Sequence, residues 1–138
     1  MKKKRILITG ANGFLGRHSA KRFAAGGWTV IGLGRRGIDE ASADCEYWVD
    51  ALVSPSSLSQ AFQYGPDVVM HCAARSSVSG SFVEPLNDLN ASVNSFAFVL
   101  DAIRRLDIRV RVIFPSSAAV YGHGAGGKLE EGLVRSPV

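Results

Sequence analysis

Residues 5–16 read RILITGANGFLG, a short apolar run followed by three glycines at intervals of three. Glycine loses more conformational entropy on folding than any other residue, so glycines at regular spacing need a structural reason. The run from Ile6 to Ile8 is typical of a buried strand, and the residues from Phe14 onward are typical of a helix. The stretch therefore predicts either a phosphate-binding turn between a strand and a helix, or a glycine-rich turn that serves packing alone.

The rest of the chain alternates between predicted strands and predicted helices. The apolar runs typical of strands lie at 5–9, 28–33, 45–49, 67–71 and 110–114. The helical patterns cover 14–25, 54–63 and a long segment that begins at Pro85 and closes with Arg104 and Arg105. Strands separated by helices pair in parallel through right-handed crossovers. We therefore predict one α/β domain over residues 1–138, a doubly wound parallel sheet of order 3-2-1-4-5.

Helix ends and buried faces can also be predicted. Ser54 and Pro55 form an N-cap and first-turn pair for the second helix. Apolar side chains that recur every three or four residues predict the face that a helix buries. On the long helix these are Leu86, Leu89, Val93, Phe96, Leu100 and Ile103. On the first helix they are Phe14, Leu15, Ala20, Phe23 and Ala24, and the glycine-rich stretch after residue 121 is predicted to be loop.

Composition excludes several classes of protein. Apolar residues make up 46% of the chain, and 16 Lys and Arg against 12 Asp and Glu leave a net charge of +4. The basic start is followed by too few apolar residues for a secretory signal or a membrane span, so we expect a cytoplasmic protein. Cys45 and Cys72 lack metal-ligand or disulfide spacing, which predicts reduced thiols and no metal. The basic residues lack interleaved aromatics, which argues against nucleic-acid binding.

A phosphate-binding turn explains the cost of the glycines. Gly10 would allow a sharp turn off the strand, Gly13 would let backbone N–H groups approach a diphosphate, and Gly16 would let the helix pack closely on the sheet. The N-terminus of the helix adds a partial positive charge. The predicted cofactor-binding turn comprises Gly10, Asn12, Gly13, Phe14, Leu15 and Gly16.

Four motifs occur in order along nearly the whole chain. They are TGANGFLG at 9–16, VD at 49–50, HCAA at 71–74 and SSAAVYG at 116–122. Together they resemble those of the extended short-chain dehydrogenases, also called NAD-dependent epimerases and dehydratases. Four motifs that match in the same order are more specific than any one of them. The resemblance implies a dinucleotide cofactor and a nucleotide-sugar substrate.

The resemblance also implies roles for single residues. Asp50 would receive the adenine amino group, with Ala51 beside it, and the segment Cys72, Ala73 and Ala74 would lie along the cofactor. Arg75 follows that segment and either approaches a phosphate or lies at the surface. Ser117 is the predicted catalytic residue, hydrogen-bonded to the reacting hydroxyl of the substrate. The alternative for Ser117 is a serine that caps the end of the fifth strand.

Two departures from the family pattern matter. The family removes the hydroxyl proton with a Tyr that is followed four residues later by a Lys, and this sequence contains no Tyr-x-x-x-Lys. Tyr121 already fills the position in the VYG motif, and the residues after 128 resemble the loop that precedes the catalytic Tyr. We therefore expect the cofactor-binding part of a longer enzyme, which binds dinucleotide without turnover. The alternative is a non-catalytic sensor or subunit. The segment 92–96, SVNSF, also departs from the usual Asn-Val-x-Gly-Thr.

The end of the second strand bears on the choice of cofactor. Where members that prefer NAD usually carry an acid near position 34, this chain reads Gly34, Arg35, Arg36. An arginine can pair with a 2′-phosphate through two hydrogen bonds, whereas a carboxylate would repel it. The sequence therefore favours NADP over NAD. The alternative is a pair of solvated arginines, with Asp39 on the ribose.

The fifth predicted strand lies at the edge of the sheet and is rich in apolar residues. Exposed apolar edges pair with other chains or aggregate. We therefore expect either strand-to-strand pairing with a second copy of this chain, in a homodimer, or a poorly soluble chain.

Overall fold

The computed structural model describes residues 3–35, 43–75, 77–122 and 128–137. Its strands are β1 (Arg5–Thr9), β2 (Thr29–Leu33), β3 (Tyr47–Val49), β4 (Val68–His71) and β5 (Arg111–Ile113). Its helices are α1 (Phe14–Ala25), α2 (Pro55–Phe62), α3 (Val78–Val83), α4 (Pro85–Leu89) and α5 (Ser95–Leu106), with a π-helical turn at Asn90–Asn94 and a 3-10 turn at Ala118–Tyr121.

The five strands form one parallel sheet in the order β3-β2-β1-β4-β5, which confirms the predicted fold class. Strand β1 lies at the centre, where Leu7 pairs with Ile31 of β2 on one side and with Val69 of β4 on the other. The chain leaves β1 toward β2 and returns later to β4, so the loops that follow β1 and β4 diverge. This switch point is where open α/β sheets bind ligands.

Helices cover both faces of the sheet. The core on one face holds Leu7, Ile31, Leu58, Val69 and Val99, which come from three strands and from α2 and α5. On the other face, α1 packs its Ala20 against Ile6, Ile8 and Val30. Burial on both faces explains why the central strands read as continuous apolar runs.

The predicted start of α2 is confirmed. The Ser54 hydroxyl accepts a hydrogen bond from the backbone N–H of Ser57 at 3.2 Å, and the Ser57 hydroxyl accepts one from the N–H of Ser54 at 3.0 Å. Pro55 occupies the first turn, where its missing N–H is not needed. These reciprocal bonds satisfy two N–H groups that a helix end leaves without partners.

The predicted buried face of the long helix is wrong in most of its members. Leu86, Leu89, Val93 and Leu100 are exposed, whereas Ser95 and Val99 are the buried positions of α5. The π-helical turn between α4 and α5 holds one extra residue, so a 3.6-residue period counted across it loses phase. The apolar pattern therefore marks an outer surface over much of this segment.

The buried face predicted for α1 is also partly wrong. Phe14 and Leu15 are exposed, and Gly16 and Ala20 are the buried positions of this helix. Neither of these two large side chains belongs to the buried clusters on the two faces of the sheet. Helix α3 was not predicted, although Ser77 caps it by accepting a hydrogen bond from the Gly80 N–H at 3.0 Å. Strand β5 ends at Ile113, two residues before Pro115, so the proline breaks no ladder.

The two faces of the long helix can be distinguished by one matched pair of variants. Val99→Ala should lower the free energy of unfolding by about 2–3 kcal/mol, because it removes fully buried methyl groups and leaves a cavity. Val93→Ala, the same change on the exposed face, should alter it by less than about 0.5 kcal/mol. Urea denaturation measures both, and equal losses would contradict the assigned faces.

Candidate functional site

Two neighbouring cavities open where the strands end. Each has a volume of about 560 Å³, and the segment from Cys72 to Arg75 lines both. The first cavity extends from the loop after β1 toward the ends of β2 and β3. The second extends toward the end of β5, where Ser117 lies.

The glycines of the first loop have different tasks. Gly10 has a φ of +64°, and a Cβ placed there would lie 2.8 Å from the backbone N of Ala73. A Cβ on Gly16 would overlap the carbonyl of Gly10 and lie 2.8 Å from the Cα of Ala11. Gly10 and Gly16 therefore allow backbone to pack on backbone. Gly13 is exposed and lines the first cavity, so it is the glycine that leaves room for a ligand.

Helix α1 begins between the two cavities. Gly13 is its N-cap, and the first turn contains no acidic residue. The first N–H groups of a helix have no partner within it and, together with the helix dipole, favour an anion. Gly13 lines the first cavity and Leu15 the second, so this helix end faces both.

The end of β2 is tied to the first loop. The side-chain amide of Asn12 donates a hydrogen bond to the carbonyl of Arg35 at 2.5 Å. A Cβ on Gly34 would lie 2.5 Å from the Oδ1 of Asn12, so a side chain at position 34 would require the Asn12 side chain to move. Arg35 is exposed and lines the first cavity. Arg36 and Asp39 lie outside the described residues.

The end of β3 contributes an apolar wall. Among the described residues, the lining at this end consists of Ala51, Leu52 and Val53, whereas Asp50 lies outside the lining and is exposed directly after the strand.

A buried polar network holds the segment after β4. The hydroxyl of Thr9 lies 2.8 Å from Nδ1 of His71, and the hydroxyl of Ser95 lies 3.2 Å from Nε2 of the same ring. The backbone N–H of Ala73 donates to the Thr9 hydroxyl at 3.3 Å. Burial lowers the pKa of His71 to about 4, so the ring is neutral at pH 7. Burial also raises the pKa of Cys72 to about 11, which keeps its thiol uncharged beside an anion site.

Arg75 lies where the two cavities meet. Its guanidinium donates to a carboxylate oxygen of Glu84 at 3.0 Å, and this hydrogen bond holds the pKa of Glu84 below its usual range. Because Arg75 lines both cavities, its charge can reach an anion in either one.

Ser117 lines the second cavity beside Phe114, Pro115 and Ser116. Its hydroxyl also caps the 3-10 turn, because it accepts a hydrogen bond from the Ala119 N–H at 3.1 Å. Accepting that bond leaves the O–H free to donate. Ser117 therefore does act as a cap, but it caps the start of the 3-10 turn and not the end of β5.

Most of the predicted site residues meet at these cavities. Those that line one or both are Gly10, Asn12, Gly13, Leu15, Arg35, Ala51, Cys72, Ala73, Ala74, Arg75 and Ser117. The two cavities are not lined by Phe14, Gly16 or Asp50, whose roles toward a cofactor remain predictions. The sequence reasoning missed the helical wall of the first cavity, which includes Asn87, Asn90, Ala91, Asn94, Ser95 and Phe98. The three asparagines at positions 87, 90 and 94, spaced three and four residues apart, were the available signal in the sequence for this wall.

The described ranges hold neither a cluster of metal-ligating side chains nor a membrane-spanning helix. No group of three or more His, Cys, Asp or Glu side chains there could hold a metal ion. Within the same ranges, no helix is both long and apolar enough to cross a bilayer.

Comparison with known proteins places these features in a family. Residues 6–138 match the NAD dependent epimerase/dehydratase family. A UDP-glucose 4-epimerase from Mycolicibacterium smegmatis is 30% identical over 126 residues, which cover 86% of this chain and 40% of that relative. A GDP-6-deoxy-D-mannose reductase from Pseudomonas aeruginosa is 26% identical over 138 residues, which cover 97% of this chain and 41% of that relative.

Solved structures agree with this match. The UDP-glucose 4-epimerase of Brucella ovis, in complex with NAD, superposes with a TM-score of 0.86 at 28% identity and covers 98% of this chain. The match covers 42% of the Brucella ovis chain. The present chain therefore spans about two fifths of the length of these relatives.

The close packing of α1 on the first loop can be tested at Gly16. Gly16→Ala should lower the free energy of unfolding by about 1–3 kcal/mol, because the new methyl group would meet backbone that cannot move aside. This loss outweighs the gain of about 1 kcal/mol in helix propensity. Gly132→Ala is the control, since no atom lies within 4 Å of the added group. An equally stable Gly16→Ala protein in urea denaturation would show that the packing is loose.

Burial of His71 predicts a pH dependence of stability. The unfolded ring takes up a proton near pH 6.5, whereas the folded ring resists it until about pH 4. The stabilisation by the neutral ring is fully present above pH 6.5 and is lost as the pH falls toward 4. In all, the free energy of unfolding should fall by about 3 kcal/mol. Urea denaturation from pH 7.5 to pH 4.5 should show this loss in the native protein. In His71→Gln, the free energy of unfolding should lack the part of the pH dependence that comes from the ring. If the native protein and His71→Gln lose stability with pH in parallel, the burial of a neutral ring is contradicted.

Proposed function

The chain belongs to the NAD-dependent epimerase/dehydratase family, and from that premise we propose that it is the dinucleotide-binding part of a nucleotide-sugar oxidoreductase. The observation that carries the proposal is the first loop, where the backbones of Gly10 and Ala73 pack together and Gly13 opens onto the cavity.

The residues present fit a dinucleotide. Gly13 and the first N–H groups of α1 would hold the diphosphate without a side chain in the way. Ala51, Leu52 and Val53 would pack against the adenine, with Asp50 at its rim. The segment from Cys72 to Ala74 would run along the cofactor between the two cavities. The chemistry that a bound nicotinamide supplies is reversible hydride exchange.

The cofactor of this chain is proposed to be NADP rather than NAD. Solved relatives bind NAD. At the end of β2, however, position 34 is a glycine and brings no acidic side chain to the cavity. Arg35 instead brings a positive charge to the same cavity. Hydrogen bonds to a charged group are worth about 1.5–3 kcal/mol, so one Arg35–phosphate contact would shift the preference by about ten- to a hundredfold.

The substrate half is proposed on the second cavity. Ser117 would donate its free O–H to the hydroxyl of a nucleotide sugar, as a catalytic residue. This role rests on the family resemblance and on the position of Ser117 in the cavity wall. The matched family comprises epimerases and dehydratases, and one relative is a reductase, so the reaction outcome stays open among these three.

The 138-residue chain is proposed to bind cofactor without turning over substrate. Its sequence contains no Tyr-x-x-x-Lys, the acid/base pair of the family. A positioned acid/base contributes about 10² to 10⁴ in rate. A non-catalytic dinucleotide sensor or subunit is the second candidate.

The protein is further proposed to act in the cytoplasm as a homodimer. Reduced thiols at Cys45 and Cys72 suit a cytoplasmic protein. Six large apolar side chains are exposed along α3, α4, the π-helical turn and α5, and exposed apolar surface of this kind can serve as a contact surface between chains. They are Phe82, Val83, Leu86, Leu89, Val93 and Leu100.

Calorimetric titration with NAD and NADP tests the proposed function. The native chain should bind both and should bind NADP more tightly. Arg35→Ala should weaken NADP binding by about ten- to a hundredfold and NAD binding by much less, because only NADP carries the 2′-phosphate. Arg109→Ala is the matched control, since it removes the same charge just before β5, at the opposite end of the sheet.

The outcomes separate the parts of this proposal. If neither dinucleotide binds, the assigned cofactor site is wrong. If NAD binds more tightly than NADP, or Arg35→Ala affects both equally, the preference is wrong while the site stands. Oxidation or reduction of UDP-glucose by the isolated chain, well above background, would contradict the proposed lack of turnover.

A further inference from the structure

Ser95 lies at the start of α5 and is buried, although no role for it was predicted from the sequence. Its hydroxyl is surrounded by three acceptor carbonyls and by the ring of His71. Two of the carbonyls, of Ala91 and Ser92, belong to the preceding π-helical turn, and the third, of Ala73, lies at 3.5 Å. The shortest of these contacts is to the carbonyl oxygen of Ala91 at 2.7 Å, and Nε2 of His71 lies at 3.2 Å. A buried hydroxyl with a fixed set of hydrogen-bond partners couples the position of one element to that of another.

The directions of the hydrogen bonds follow from the groups involved. A carbonyl only accepts, so the single hydrogen of Ser95 is directed to Ala91 and the Ser95 oxygen accepts from Nε2–H of His71. The neutral ring has one N–H, so Nδ1 must accept, and Thr9 donates to it across 2.8 Å. The Thr9 oxygen then accepts from the backbone N–H of Ala73 at 3.3 Å. Every polar group in this series has a partner.

The series of hydrogen bonds ends at the most closely packed part of the site. Thr9, His71 and Ser95 are all nearly inaccessible to solvent. Ala73, at the end of the series, packs so closely on Gly10 that no Cβ would fit between them. A small displacement of Ala73 would therefore change the separation of the two loops that form the cleft.

We propose that Ser95 is a positioning residue for the cofactor site, acting through His71 and Thr9 on the segment Cys72–Ala74. This inference rests on the proposed dinucleotide function. It also assigns His71, which lines the second cavity, to support of the site rather than to acid/base chemistry, because both of its ring nitrogens are engaged.

The test compares four variants at a temperature where circular dichroism shows each to be folded. Ser95→Ala and Thr9→Val break the series from opposite ends, so that one can replace the other if either fails to fold. Thr9→Ser keeps the hydroxyl. Ser59→Ala removes an exposed serine from α2 and serves as the control. Nitrogen-15 NMR reports the tautomer of His71 and the amide of Ala73, and calorimetry reports binding of NAD and NADP.

The native protein should show His71 as the Nε2–H tautomer. Ser95→Ala and Thr9→Val should mix the tautomers, shift the Ala73 amide and weaken both dinucleotides by about three- to tenfold, because both would share that segment. Thr9→Ser and Ser59→Ala should behave like the native protein. A merely structural serine would lower thermal stability and leave the Ala73 amide and the affinity unchanged, which would overturn the proposal.

A native His71 in the Nδ1–H form would also overturn the proposal. If the native protein binds neither dinucleotide, the proposed function fails on its own. The Ala73 amide in Ser95→Ala then decides the positioning role, since an unmoved amide refutes it and a shifted amide supports it.

Discussion

The cleft depends on one contact between two stretches of backbone. Gly10, after β1, lies against Cys72 and Ala73, after β4, at a distance that leaves no space for a side chain. These strands are neighbours in the sheet, and their connections depart in opposite directions. Because the two loops touch at their base and then diverge, the cavities on either side of the contact share a common wall.

Two kinds of polar interaction support this wall, and they differ in strength. The bonds among Thr9, His71 and Ser95 are removed from water, so leaving any partner unsatisfied would carry a full desolvation cost. The pair between Arg75 and Glu84 is partly solvated, and exposed ion pairs contribute little to stability. The buried network therefore fixes the wall, whereas Arg75 can exchange its carboxylate partner for an anion at small cost.

The segment from 85 to 106 shows how the same helix serves two surfaces. Asn90, Asn94 and Ser95 line the first cavity, while Leu86 and Val93 are exposed. Helical periodicity indicated an apolar face correctly, yet apolar residues can cover either a core or an outer contact surface. The π-helical turn, with its bond from the Asn94 amide to Asn90 Oδ1 at 2.6 Å, sets which residues face the cleft.

The sequence by itself determined the strands, their order and the place of the first loop, because continuous apolar runs, caps such as Ser54 and glycine spacing act over short distances. It also determined most residues of the cleft, since they follow directly after strands. Only the tertiary structure decided that Gly10, predicted to make the turn off the strand, also packs against the backbone of Ala73, which lies 63 residues further along the chain. The same holds for the buried role of Ser95 and the outward face of Val93. Both depend on how the π-helical turn, which contains Val93, and α5, which begins at Ser95, are oriented against the sheet.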